Sequence, residues 1–133
     1  MTRDEILAMD PGKMLNAAVD MNRNGHFDNI EAFRQFLEGR GIYFPSHLNR
    51  IPRVSSNMEA AWELVEILRE TRIDGKEYAV GLWVQHDGKC EVEIMLDEDS
   101  VAWVGGKHAT DTMPEAICKA YLLAMGVEGG FAG

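Results

Sequence analysis

Residues 78–96 read YAVGLWVQHDGKCEVEIML, and their pattern decides the fold. Tyr78, Val80, Leu82 and Val84 alternate with Ala79, Gly81 and Trp83, the period of two that sends successive side chains to opposite faces of a strand. Asp87-Gly88 supplies hairpin-turn chemistry, and the returning run sets Cys90, Val92, Ile94 and Leu96 against Glu91 and Glu93. One face is therefore core and the other at least partly wet. The pattern predicts antiparallel strands over Tyr78 to Gln85 and Cys90 to Leu96, with Val80, Leu82, Val92 and Ile94 inside. Beyond the acidic Asp97-Glu98-Asp99, a short third strand is expected from Val101 to Val104, ended by Gly105-Gly106.

The flanks read as helices. Ser56 and Glu59 have capping-box spacing and open a helix with Met58, Ala61, Trp62, Val65 and Leu68 on one face. Glu59, Glu63, Glu66 and Glu70 fall largely on the other, and Asp74-Gly75 turns the chain into the first strand. Thr112 and Glu115 repeat the box around Pro114, before a last helix with Ile117, Ala120, Tyr121, Leu123 and Ala124 apolar. At the other end, Thr2 with Glu5 starts a short helix, and Asp10-Pro11 opens a second over about 11–20 through Met14, Leu15, Ala18 and Val19. Ile30, Phe33, Phe36 and Leu37 mark a third from Asn29 to Glu38. Residues 39–55 hold two prolines and no period, which predicts a long irregular loop, and the tail 128–133 should fray. The expectation is one α+β domain over 1–127, with a three-stranded antiparallel meander packed by N-terminal helices and one C-terminal helix.

Composition narrows the function classes. The 133 residues carry 13 Lys+Arg against 22 Asp+Glu, a net charge of −9. An acidic field repels polyanions, so long nucleic acid and anionic membranes are poor partners. No apolar run reaches the roughly 20 residues that span a bilayer. The start MTRDEILAMD has acids where an export leader has bases, so a cytoplasmic protein is expected. Cys90 and Cys118 lie in core-like segments and read as buried thiols in a reducing compartment.

Three segments, EILAMDPG (5–12), SSNMEAAWELVE (55–66) and DTMPEAICKA (111–120), resemble the signatures of the phage ABA sandwich domain family. These are small proteins of phages and prophages, mostly of Gram-positive hosts. The resemblance implies an α/β/α layered sandwich and a setting in the cytoplasm of an infected bacterial host. It breaks down between Asp20 and Arg53, and it brings no catalytic residues, because the family's name describes architecture only.

Inside that departure, Asp20, Asn22, Asn24, Gly25, His26, Asp28 and Glu31 satisfy the calcium-loop pattern D-x-N-x-N-G-x5-E. A tight turn at glycine folds short oxygen ligands around a hard cation, with His26 giving its carbonyl and Glu31 closing the cage. Asn16 stands where an apolar residue normally packs and there is no partner loop, so a polar helix end followed by a cap is the plainer reading. A second candidate is the basic island: no acidic residue lies between Glu38 and Glu59, where Arg40, Arg50, Arg53 and His47 sit beside Tyr43 and Phe44. Arginine forks match phosphate or carboxylate oxygens and an aromatic ring stacks on a base, which suits a small anionic, nucleotide-like ligand. The competing reading is a solvated loop whose arginines pair with the glutamate faces of neighbouring helices. A third candidate, Gly105 to Thr112, is a glycine loop entering a helix, where N–H groups and Lys107 would hold an anion, with Trp103 as a pocket wall. Most such loops are only turns and caps.

The histidines show no zinc-like spacing and no serine or cysteine has an adjacent base. Glu91 and Glu93 share one side of a strand, an acid–base geometry that a solvated strand face explains more cheaply. Two function classes follow. One is a non-enzymatic phage binder that sequesters a small anionic host signal, such as a nucleotide of antiviral defence, with a homo-oligomer as a way to enclose it. The other is a structural or protein–protein interaction module gripping a host or phage protein, with or without a calcium-ordered loop.

Overall fold

The computed structural model describes residues 3–24 and 53–125. In chain order these form α1 (Arg3–Ala8), α2 (Lys13–Asn24), α3 (Met58–Glu70), β1 (Arg72–Ile73), β2 (Lys76–Val84), β3 (Cys90–Leu96), β4 (Asp99–Val104), a 3₁₀ turn (Gly106–His108) and α4 (Met113–Ala124). The expected third helix and the loop as far as residue 52 lie outside the described residues.

The sheet is antiparallel throughout, in the order β1-β2-β3-β4. It has one strand more than the alternation predicts. Asp74 and Gly75 both take positive φ (52° and 78°), so their two-residue turn folds Arg72–Ile73 back onto Lys76 and Glu77. Two residues are too short a run to show a period, which is why β1 escapes a sequence reading. The β2–β3 hairpin closes through His86-Asp87-Gly88. There the N–H of Gly88 donates to Gln85 O at 2.9 Å, and Gly88 takes φ 86°.

The face carrying Val92, Ile94, Ala102 and Val104 is buried, and Val80 and Leu82 pack against it in part. α4 lies across β3 and β4, α3 against β2, and α1 and α2 pack on α4. α4 is consequently enclosed from Glu115 to Leu122, with Leu122 rather than Leu123 fully buried. Among the described residues every helix serves the same side of the sheet, so the second helical layer of an α/β/α sandwich is not found there.

Two caps differ from expectation. Asn57, not Ser56, caps α3, its side-chain oxygen accepting from Ala60 N at 3.0 Å. Thr112 makes no side-chain cap bond, and the side chain of Glu115, the other half of the predicted box, is drawn into a buried pair with Lys119 at 2.8 Å. Lys119 Nζ also donates to Leu7 O at 3.0 Å and so ties α1 to α4. The buried stripe of α3 is Ala61, Leu64, Val65 and Leu68, which rotates Trp62 and Met58 out to 40% and 42% exposure. Asn16 is buried because its side-chain carbonyl accepts from both Ser55 N (2.9 Å) and Ser55 Oγ (2.7 Å), tying α2 to the turn before α3.

Candidate functional site

The outer face of the sheet is built by the same period of two. The register sets Trp83 opposite Glu91, and Glu93 between Gly81 of β2 and Trp103 of β4. On β4 the register shifts as β3 passes from Ile94 to Met95, so that Ala102 pairs with Ile94 and Ser100 with Met95. Val101 is the extra residue of this bulge, which turns Ser100 to the outer side. There its hydroxyl donates to Glu93 Oε2 at 3.1 Å.

Trp83, Glu91, Glu93, Ser100 and Trp103 together line an open depression of about 560 Å³. Trp83 is 48% exposed and Trp103 38%, and their rings meet edge to face with centroids 6.3 Å apart at 67°. Each indole lies over a glycine two residues away along the chain, Gly81 within β2 and Gly105 just past the end of β4. A Cβ on Gly81 would stand 2.5 Å from Trp83 Cη2, and one on Gly105 2.2 Å from Trp103 Cζ2. Hence the mirrored pattern Gly81-Leu82-Trp83 and Trp103-Val104-Gly105 lets each ring lie against its own backbone, where a side chain on the glycine would push it off, and it is the signal in the sequence that could have located the site.

Glu91 Oε2 accepts the N–H of Gly106 at 2.8 Å. Hydrogen bonds from the Gln85 side chain and then from Gly106 hold its carboxyl below the usual glutamate range, so it stays ionised at neutral pH. That is the opposite of what a general acid needs. The same bond bears on residues 105–112, which the sequence offers as an anion cradle. The N–H group offered by the glycine turn is filled by the protein's own carboxylate, Asp111 is paired with Lys89, and exposed Lys107 lies outside the depression.

Of the calcium pattern, Asp20, Asn22 and Asn24 lie among the described residues. α2 continues without a break through Asn22 and Asn24, where a calcium loop must already have left the helix. On a helix Asp20 and Asn22 point about 200° apart, and buried Asp20 faces inward. His26, Asp28 and Glu31 lie outside the described residues, as do Arg40, Tyr43, Phe44, His47 and Arg50 of the basic island. Arg53 is exposed at the turn before α3, its carbonyl accepting from Ser56 N at 3.2 Å. Of the sequence-chosen ligand residues that are described, Arg53, Trp103 and Lys107, it is Trp103 that lines the depression.

Burial pushes the Cys118 thiol up to about 12 and raises that of Cys90 as well, so neither is a ready nucleophile. Among the described residues no three or more His, Cys, Asp or Glu side chains gather as metal ligands, and no helix is long and apolar enough to cross a membrane. Comparison with family models, with curated proteins and with solved structures finds no match.

Proposed function

We propose that this chain is a non-enzymatic binding protein of the interaction-module kind, and that it docks its partner on the outer face of the sheet. One observation carries the reading: two indoles, 48% and 38% exposed, are laid over glycines around a common depression while the other face of the same strands is packed with core. Large aromatics held half in water at the centre of a patch are the side chains that most often anchor interfaces. The phage setting, and with it the cytoplasm of an infected host, rests on the resemblance of residues 5–12, 55–66 and 111–120. Ile6, Leu7, Ala61, Leu64, Val65, Ala116, Ile117 and Ala120 from those segments share one buried cluster.

A second reading keeps the basic island as a capture site for a small anion. Its support is the acid-free run from 39 to 58 and the exposed Arg53, and the outer face, with Glu91 and Glu93, cannot serve it. One comparison separates the two. Parent protein, a Trp83→Ala/Trp103→Ala variant and an Arg50→Ala/Arg53→Ala variant are recovered from infected cells, and both bound polypeptides and denaturation-released small molecules are measured. Loss of a polypeptide with the tryptophan variant alone supports the docking face. Loss of a small anion with the arginine variant alone overturns it in favour of the island.

A further inference from the structure

We propose that the occupant of the outer-face depression is the guanidinium of an arginine in a basic segment of a partner polypeptide, an inference that rests on the docking reading above. The chemistry of the lining points to a cation. Of its five described lining residues two are indoles, whose faces attract positive charge, and two are carboxylates, Glu91 held ionised by its donors and Glu93 placed between Gly81 and Trp103 in the register. Ser100 engages Glu93 through one oxygen, and a carboxylate keeps acceptor capacity beyond one such bond. No basic side chain lines the depression among the described residues. Arg3 is turned to the edge of β4, where it donates to Trp103 O at 3.1 Å.

Arginine fits better than lysine because its planar fork stacks on an aromatic face and bonds a carboxylate through two N–H groups at once, whereas an ammonium does neither. A polypeptide fits better than a free amine because the depression is open to water. A small ligand needs most of its surface enclosed to be held, so a ligand docking here must bring further contacts from its own chain. The net charge of −9 adds long-range attraction for a basic segment.

Titration calorimetry tests this with an end-blocked heptapeptide of alternating glycine and arginine, and with its citrulline counterpart, which keeps the planar group and loses the charge. The parent is expected to bind the arginine peptide about tenfold or more tighter than the citrulline peptide. Trp83→Ala/Trp103→Ala and the isosteric Glu93→Gln should each weaken it by about tenfold. Glu66→Gln, which removes the same single charge from the exposed side of α3, should leave affinity within about twofold, as a screened surface charge does. Equal binding of the two peptides, an equal loss with Glu66→Gln, or no heat from the arginine peptide at millimolar concentration would each overturn the assignment. If the arginine peptide gives no heat while the tryptophan variant still loses its polypeptide partner in cells, the cation is wrong and the docking face stands. If both tests fail, both fall.

Discussion

The two faces of β3 are one residue apart in sequence and opposite in purpose. Val92 and Ile94 are 0% and 1% exposed beneath α4, whereas Glu91 and Glu93 stand among two half-exposed indoles with water in front of them. The inner face is held by volume and transfer from water, so it tolerates little change and carries stability. The outer face buries little, yet each of its side chains has a specified neighbour: an indole over a glycine, a carboxylate on a backbone N–H, another on a serine hydroxyl. Order without burial marks a surface arranged for something other than folding.

If that division is right, substitutions should separate sharply between the faces. The largest loss is expected behind the inner face, at the Glu115–Lys119 pair. Lys119→Ala leaves Glu115 buried without its counter-charge and frees α1 from α4, and urea denaturation should register about 3–5 kcal/mol of lost stability. Replacing both by Met and Leu should recover most of it, because then no charge is left buried. Ile94→Ala, on the inner face itself, should cost about 2–5 kcal/mol in the same measurement. By contrast, Trp83→Ala removes only the edge-to-face ring contact and partial burial, so a loss near 1 kcal/mol is expected. A loss as large as that of Ile94→Ala would erase the distinction between the faces.

The smallest effect is the pH dependence of Glu91. Its folded carboxyl titrates below the ordinary glutamate range, so its contribution is complete above that range and disappears as the pH falls through the lower folded value. Glu91→Gln should flatten this acid limb slightly, and the protection of the Gly106 amide relative to its intrinsic exchange rate should fall in the parent over the same window.

Much of the fold is legible because it is written at short range. Period two in 78–96, positive-φ turns at Asp74-Gly75 and Gly88, and 3,4 spacing in α3 and α4 are all local statements about backbone and side-chain direction. What local spacing leaves open is rotation. Met58, Trp62 and Leu64 all neighbour the apolar stripe of α3, and only packing against β2 and α4 decided that Leu64 goes in and the other two come out. Likewise α2 meets no strong breaker before Gly25 in the sequence, so it runs through Asn24 where the oxygen spacing suggested a loop.

The candidate site is the sharper case. Residue types alone establish that the strands carry tryptophan and glutamate on one parity, because side-chain direction in a strand follows from the chain itself. That Trp83 and Trp103 meet across β3, that a bulge aims Ser100 at Glu93, and that Glu91 fills the turn at Gly106 were settled only when three strands came into register. These contacts join residues 20, 7 and 15 positions apart, and no local propensity encodes which of many partners a side chain of that reach will find.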